Sequence, residues 1–164
     1  MNNNELFNKK KKNIKLVVSD IDGTLTDGCL YLTESGEISK RFSFKDIMGL
    51  SLLRKNGYKI AFVSGEKTPI IDIYASKLKI EDVYQGIKQK DKPIAELIVK
   101  YQLKPANICF IGDDINDIPA MNAVGMPVAV NDCNSKLKKL ENVFITDLPG
   151  GNGAFRELAD LLLE

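Results

Sequence analysis

The fold is decided by the stretch Ile14-Lys15-Leu16-Val17-Val18-Ser19-Asp20-Ile21-Asp22-Gly23. Its apolar run, residues 14–18, predicts a buried strand, because the strands of a parallel sheet are covered on both faces. Two carboxylates, Asp20 and Asp22, follow at the end of the strand where open α/β sheets bind ligands. Carboxylates this close repel each other, so a cation or a proton is needed beside them. The stretch therefore indicates either a divalent-metal site or a solvated Asp-Gly turn.

Two later apolar runs also end in polar residues. Ser64 follows the run at 60–63, and Asp113 follows the run at 108–111. Lys90 stands between them in the chain. Because the carboxyl ends of parallel strands meet at one edge of a sheet, we expect these three side chains to lie close to the first carboxylate pair.

The rest of the chain alternates short apolar runs with helical patterns. Helical patterns cover residues 46–55, 69–78, 93–101, 118–124, 135–140 and 154–163, and strand patterns cover 59–63, 108–111, 128–130 and 143–146. This alternation predicts an α/β fold, a three-layer Rossmann-like parallel sheet with helices on both faces. Residues 29–32 and 38–44 predict a hairpin between the first strand and the first long helix. We expect a single domain over 14–164, with a β-hairpin flap and no cap domain.

Composition limits the chemistry. The 164 residues, 44% of them hydrophobic, suffice for one domain with a substantial core. The net charge of +1 gives no field that favours nucleic acid, and no apolar run approaches the ~20 residues of a membrane helix. Histidine is absent, so acid–base work and metal ligation depend on carboxylates or lysine. The three cysteines form no close pair, which indicates a reduced, cytoplasmic protein.

The N-terminal segment, residues 1–13, is polar, and residues 9–12 are all lysine. It lacks an apolar segment of the length that a secretory signal needs. We therefore predict a disordered tail. Its lysine run is interpreted as solvated, with contact to an anionic surface as the alternative.

The order of these features resembles the four motifs of the haloacid dehalogenase superfamily of phosphohydrolases: strand-end carboxylates, a strand-end hydroxyl, a lysine and a second acidic cluster. The resemblance covers residues 14–163. Three further motifs are similar to its small capless branch of octulosonate 8-phosphate and nonulosonate (sialic acid type) 9-phosphate phosphatases: Thr26-Asp27-Gly28, Tyr84-Gln85-Gly86 ahead of Lys90, and the segment 150–157. Glu66 and Lys77 resemble the nonulosonate enzymes, because octulosonate enzymes usually carry an arginine at the position of Glu66.

The resemblance implies phosphoryl transfer through an aspartyl-phosphate with Mg²⁺ as cofactor. Asp20 would be the nucleophile and Asp22 the general acid and base. Metal ligation falls to Asp20, Asp113 and Asp22, the last through its backbone carbonyl, with Asp114 and Asp117 acting through water or by supporting the ligands. Ser64 and Lys90 would hold the phosphoryl oxygens.

The same resemblance implies a set of residues that contact the sugar acid. They are Thr26, Gly65, Glu66, Lys67, Lys77 and Arg156. For Arg156 the alternative is an intrachain pair at the end of a helix. Asp46 is a further candidate, with a helix N-cap as its alternative. In this branch a neighbouring subunit of a homotetramer covers the site, so we expect a homotetramer and a small sugar-acid phosphate as partners, with no nucleic acid and no membrane.

Two other classes of protein remain as alternatives at this point. A receiver-type signalling domain also places acidic residues, a hydroxyl and a lysine around magnesium, but it lacks an acid beside the phosphorylated Asp, where this chain has Asp22. A regulatory subunit without catalysis is the second alternative. The sequence predicts instead a magnesium-dependent phosphatase, with a nonulosonate 9-phosphate as the first substrate candidate and 3-deoxy-D-manno-octulosonate 8-phosphate as the second.

Overall fold

A computed structural model describes residues 3–164, with side chains described from residue 5 onward. The strands are β1 Leu16–Ser19, β2 Tyr31–Leu32, β3 Ile38–Ser39, β4 Lys59–Val63, β5 Asp82–Tyr84, β6 Ile108–Gly112, β7 Met126–Ala129 and β8 Phe144–Ile145. Six of them form one parallel sheet in the order β5-β4-β1-β6-β7-β8. The strand with the carboxylate pair is therefore central, and its first residue, Leu16, lies between Lys59 and Ile108.

The helices are α1 Asn3–Lys11, α2 Phe44–Lys55, α3 Pro69–Leu78, α4 Asp91–Tyr101, α5 Ile118–Asn122 and α6 Ala154–Leu163. From β1 the chain moves outward to β4 and β5, and then returns to the other side of β1 for β6, β7 and β8. Right-handed crossovers in these two directions place helices on opposite faces of the sheet. Accordingly α2 packs with α3 and α6, while α4 packs with α5. The predicted three-layer α/β fold is confirmed.

Burial of β1 explains its continuous apolar sequence. Leu16, Val17 and Val18 are fully buried, as are Phe62 and Phe110 on the two neighbouring strands. A central strand covered on both faces has no exposed side, so it shows no alternation of polar and apolar residues.

The predicted hairpin is present as the antiparallel pair β2–β3, and its four residues are all exposed. A single bridge between Thr26 and Phe42 closes its base. Within residues 3–164, only this hairpin and its loops separate β1 from α2. The site at the end of β1 therefore has a flap, residues 28–39, and no cap domain.

Most predicted helices and strands match the structure, and two elements differ. The helix predicted over 135–140 is only a 3₁₀ turn, Leu137–Lys139. Asn134 accounts for this difference, because its side chain accepts a hydrogen bond from the backbone N of Lys136 and favours a turn. The short edge strand β5 was not predicted as a strand, since its first residue, Asp82, is charged.

The largest correction concerns the N-terminus. Residues 1–13 were predicted to be a disordered tail, and this is wrong for residues 3–13; Met1 and Asn2 lie outside the described residues. Phe7 of α1 is 5% exposed and packs against Phe144, with ring centroids 4.4 Å apart. Lys11 donates a hydrogen bond to the carbonyl of Leu161 at 3.0 Å, near the C-terminal end of α6. The contacts that order this segment come from the distant end of the chain, which a local reading of composition does not show.

None of the helices in residues 3–164 has the length and apolar character needed to cross a bilayer.

We predict that Phe7→Ala lowers the free energy of unfolding by about 3 kcal/mol, because it removes a buried aromatic ring and leaves a cavity. Denaturant unfolding followed by circular dichroism measures the change. Val99→Ala, at a side chain that is 78% exposed, is the control and should change stability by less than about 0.5 kcal/mol. Equal effects of the two substitutions would contradict a docked α1.

Candidate active site

The site lies where three neighbouring strands end. Asp20 follows β1, Ser64 follows β4 and Asp113 follows β6, and these strands are adjacent in the sheet. A cavity of about 370 Å³ opens there. It is lined by Asp20, Asp22, Gly28, Cys29, Leu30, Gly65, Glu66, Asp113, Asp114 and Asn116. Sequence reasoning missed Asn116, whose residue type alone carries no signal.

Three carboxylates form a compact cluster at the bottom of this cavity. Oxygen atoms of Asp20, Asp113 and Asp117 all lie within 4.8 Å of one another. Close backbone approach makes the cluster possible, since a Cβ atom at Gly23 would lie 2.0 Å from Asp113 Oδ2. An all-oxygen donor set of this kind suits a hard divalent cation such as Mg²⁺.

Lys90 holds the cluster together from below. Its side chain is 1% exposed, and Nζ donates to Asp20 Oδ1 and to Asp117 Oδ1, both at 2.6 Å. Asp117 Oδ2 accepts from the backbone N of Asp113 at 2.9 Å and of Asp114 at 3.2 Å. Both oxygens of Asp117 are therefore engaged in orienting Lys90 and the turn that follows β6.

Burial and repulsion shift the titration of this cluster. Burial, and then the charge of Asp117, raise the pKa of Asp20 to about 7, although Lys90 acts in the opposite direction. Burial, together with repulsion from Asp20 and Asp117, raises the pKa of Asp113 to about 8. Burial lowers the pKa of Lys90, but attraction to Asp20 and Asp117 outweighs it, and the net shift is upward. Attraction keeps the lysine charged, and the crowding that raises the pKa values of both carboxyl groups also favours binding of a cation between them.

Ser64 is buried at the edge of the cavity, next to two residues that line it. Its Oγ accepts from the backbone N of Glu66 at 3.1 Å, and its carbonyl accepts from the backbone N of Ile87. The helix that follows, α3, is capped by Thr68, whose side chain accepts from the backbone N of Ile70 at 3.4 Å. Ser64 is therefore held in the site by its neighbours and does not cap α3.

Asp22 is separated from the carboxylate cluster and contacts a residue that the sequence analysis missed. Its Oδ1 accepts from Lys40 Nζ at 2.6 Å, and the same ammonium group contacts the carboxylate of Glu66. Lys40 follows β3 at the base of the flap. The prediction of a hairpin did not show which of its side chains turn inward.

The predicted sugar-contact residues divide into two groups. Gly65 and Glu66 line the cavity. Lys67 and Lys77 are exposed and are not among the residues that line it. Arg156 Nε donates to Asp160 Oδ1 at 2.8 Å and to Oδ2 at 2.9 Å, the pair within α6 that was the alternative. Of these five residues, only Gly65 and Glu66 therefore lie at the site within a single chain.

Thr26 and Asp46 have structural partners instead. Thr26 is buried, and its Oγ1 accepts from the backbone N of Gly23 and of Gly28, both at 3.2 Å. Asp46 is fully buried and caps α6, accepting from the backbone N of Gly153 at 3.1 Å and of Arg156 at 3.0 Å. Asp46 therefore caps a helix, as the alternative stated, but the helix is α6. The helix that contains Asp46, α2, is capped by Ser43.

The glycine-rich segment near the C-terminus packs on the catalytic loop of its own chain. Gly151 N donates to Thr24 O at 2.9 Å. A Cβ atom at Gly150 would lie 1.8 Å from the carbonyl oxygen of Gly23, and one at Gly151 would lie 2.3 Å from the carbonyl carbon of Thr26. The two glycines permit direct contact of backbone with backbone, and this contact supports the loop that carries Asp22.

The geometry of the site defines a class of protein. A metal-suited carboxylate cluster at the end of a central strand, with a buried lysine and a hydroxyl beside it, is the constellation of an α/β enzyme for phosphoryl transfer.

Comparisons with known proteins give the family. A family model described as haloacid dehalogenase-like hydrolase matches residues 66–153. The chain is 35% identical over 154 residues to the 3-deoxy-D-manno-octulosonate 8-phosphate phosphatase of Escherichia coli K12, covering 94% of this chain and 81% of that protein. It therefore belongs to the haloacid dehalogenase-like hydrolases and is a phosphoric monoester hydrolase.

Solved structures support the same family and fold. The crystal structure of the octulosonate 8-phosphate phosphatase from Yersinia pestis has a TM-score of 0.93 at 34% identity, covering 97% of this chain and 85% of that one. The enzyme from Moraxella catarrhalis, in complex with magnesium, phosphate and KDO, has a TM-score of 0.89 at 31% identity, covering 98% and 91%. The predicted resemblance is confirmed at the level of family and fold.

We predict that the stability of the chelator-treated enzyme falls as pH rises from 6 to 8.5. The folded state keeps protons on Asp20 and Asp113 up to about pH 7 and about pH 8, whereas the unfolded chain has lost them, so raising the pH through this window favours unfolding. With no histidine in the chain, few other groups titrate there. Thermal unfolding in EDTA measures the trend.

Asp113→Asn is the matched variant for this measurement. It removes one titrating group and the charge that contributes to repulsion in the cluster, so its unfolding temperature should depend less on pH. A wild-type unfolding temperature that rises across the window, or an unchanged slope in Asp113→Asn, would contradict the raised pKa values.

Proposed function

We propose that this phosphatase hydrolyses a sugar-acid phosphomonoester through an aspartyl-phosphate intermediate, with Mg²⁺ as its cofactor. The observation that carries the proposal is the buried bridge from Lys90 to Asp20 and Asp117, beside Asp113. It holds one carboxylate as a nucleophile and leaves another for a cation, at the bottom of an open cavity.

The donor set fits the cofactor. Asp20 and Asp113 offer carboxylate oxygens, Asp22 offers its backbone carbonyl, and Asp114 and Asp117 support the ligands directly or through water. Bound Mg²⁺ would neutralise the charge that builds up on phosphoryl oxygens. The Moraxella relative, described as a complex with magnesium, phosphate and KDO, supports this choice.

The chain's own residues account for both halves of the reaction. In the first half, the Asp20 carboxylate attacks phosphorus, the bond from phosphorus to the sugar oxygen breaks, and the carboxyl proton of Asp22 passes to that oxygen. In the second half, the Asp22 carboxylate takes a proton from water, the water oxygen attacks phosphorus, and the bond to Asp20 breaks to release inorganic phosphate. Ser64 and Lys90 hold the phosphoryl oxygens throughout. The acid beside the nucleophile separates this enzyme from a receiver domain.

Two sugar acids compete as substrate. The curated relatives at 35% identity support 3-deoxy-D-manno-octulosonate 8-phosphate. Glu66 supports a nonulosonate 9-phosphate, because it lines the cavity and offers a hydrogen-bond acceptor to the polyhydroxylated end of a nine-carbon acid. Lys77 lies outside the cavity of its own chain, so it would contact substrate only in a neighbouring subunit. Because Glu66 occupies this position in the cavity lining, we propose the nonulosonate 9-phosphate as the first candidate.

We propose a homotetramer in which the flap of one subunit contacts the next. The flap exposes four large apolar side chains, Leu30, Tyr31, Leu32 and Ile38. A two-stranded ribbon of this length is not stable alone, and burial of its apolar face against another subunit would stabilise it. The free cysteines agree with a cytoplasmic location.

Activity should require Mg²⁺ and the Asp20 carboxylate. Asp20→Asn removes the nucleophile, so turnover of any phosphomonoester should fall to background, and EDTA should do the same to the wild type until Mg²⁺ is restored. Phosphate release measures both effects. The variant should still unfold cooperatively. Residual turnover in Asp20→Asn, with deamidation excluded by mass spectrometry, would refute the covalent mechanism.

Substrate choice is tested with Glu66→Ala. Loss of about 1–3 kcal/mol of specific binding should lower kcat/KM for a nonulosonate 9-phosphate by roughly 10- to 200-fold, while an aryl phosphate should change little. Steady-state kinetics on both nonulosonate and octulosonate phosphates measures the contrast. Preference of the wild type for the octulosonate 8-phosphate, or equal losses on all substrates, would assign the second candidate.

The assembly is tested by light scattering at micromolar concentration. We expect a mass four times that of the 18.2 kDa chain. Leu32→Lys, at a flap side chain that is 66% exposed, should lower the mass without unfolding the subunit, because a charge is unfavourable in an apolar interface. A fully active monomer would contradict the tetramer.

A further inference from the structure

The side chain of Lys40 is buried, although the neighbouring flap is exposed. Residues 28–39, which form the flap, are all exposed, whereas the side chain of Lys40 is 1% exposed. Its ammonium group lies between two carboxylates, Asp22 and Glu66. Ordering a long lysine side chain costs conformational entropy, so strong partners are needed to hold it. Charge-assisted hydrogen bonds to two carboxylates are such partners.

The residue next to Lys40 fixes the same backbone from the other side. Arg41 donates to the carbonyl of Gly151 and to Asn152 Oδ1, both at 3.1 Å. Successive side chains of an extended segment point to opposite sides, so one residue reaches the cavity and the next reaches the glycine-rich segment. The position of the Lys40 ammonium group is therefore determined by the backbone, in addition to its own ion pairs.

We propose that Lys40 is a positioning residue that orients the general acid Asp22 and links it to Glu66, the side chain assigned to the leaving group. Lys40 occupies Oδ1 of Asp22, which leaves Oδ2 to carry the proton and face the departing oxygen. An ammonium group can donate to Oδ1 whether Oδ2 is protonated or not, so the orientation persists through both halves of the reaction. The inference rests on the proposed function, since it needs Asp22 to be the acid.

A second role for the same ammonium group would be direct contact with the substrate carboxylate. The geometry favours positioning, because Nζ already has two carboxylate partners and its side chain has almost no exposed surface. Contact with substrate would have to use the third N–H of the ammonium group, on a side chain that has almost no exposed surface. The two roles differ in how the effects of substitutions combine.

The test compares leaving groups. General acid catalysis accelerates the departure of a poor leaving group by about 100- to 10,000-fold. Loss of the orientation of Asp22 should remove part of this acceleration. We expect Lys40→Gln to lower kcat for the preferred sugar-acid phosphate by about 10- to 100-fold, within that range. On 4-nitrophenyl phosphate, whose leaving group needs no proton, kcat should change little. Lys40→Arg, which keeps the charge and a donor, should recover part of the loss.

A double substitution separates positioning from substrate contact. If Lys40 acts through Asp22, Lys40→Gln combined with Asp22→Asn should be no slower than Asp22→Asn alone. If Lys40 binds the substrate independently, the two losses multiply, and that outcome overturns the proposal. Lys55→Met, at an exposed lysine on α2, controls for the loss of one positive charge and should leave kcat unchanged.

The remaining outcomes are also decisive. If Asp22→Asn affects both substrates equally, the assigned acid is wrong and the proposed function fails with it. If Asp22→Asn shows the expected dependence on leaving group and neither Lys40→Gln nor Lys40→Met does, only the positioning role is overturned. Circular dichroism and the unfolding temperature of each variant identify losses that come from misfolding, which would lower activity on both substrates together.

Discussion

The buried ion pairs of Lys90 are the interaction on which the rest of the site depends. One ammonium group joins Asp20 after β1, Asp117 after β6 and the start of α4, so three segments meet at a single charge. Removal of one partner from a buried pair leaves an uncompensated charge, which costs about 3–5 kcal/mol. The two carboxylates would repel each other without this lysine, and Asp117, which accepts from the backbone N of Asp113, would lose the contact that fixes its other oxygen. Function and local stability are therefore set by the same contact.

Compactness around that contact depends on glycine. A Cβ atom at Gly112 would lie 2.4 Å from Asp117 Oδ2, and one at Gly23 would lie 2.0 Å from Asp113 Oδ2. Gly150 permits similar contact with the backbone of Gly23. Carboxylates reach the distances that metal binding needs only because backbone, and not side chains, fills the space between them. The glycine-rich segment near the C-terminus thus contributes to the geometry of the first catalytic loop, although the two segments are far apart in the sequence.

The features that the sequence predicted are those that local pattern and sheet topology determine. Apolar runs located β4 and β6, and the rule that parallel strands present their carboxyl ends at one edge brought Ser64 and Asp113 together. The features that were missed depend on contacts between distant parts of the chain. α1 is ordered by Phe144, Asp46 caps a helix that begins at Ala154, and Lys40 turns inward only because the base of the flap is fixed on both sides.

The charges around the cavity constrain how the enzyme selects its substrate. Its lining contains five carboxylates, Asp20, Asp22, Glu66, Asp113 and Asp114, and no lysine or arginine. A phosphate dianion would be repelled from such a surface, and Lys90 and Lys40 are already paired with carboxylates. Entry of a phosphate therefore depends on a bound cation, and Asn116 and Glu66 are lining side chains that can form hydrogen bonds with the uncharged part of a substrate. A carboxylate such as that of Glu66 accepts hydrogen bonds from hydroxyl groups, so this lining is better suited to the hydroxyl groups of a substrate than to its negative charge.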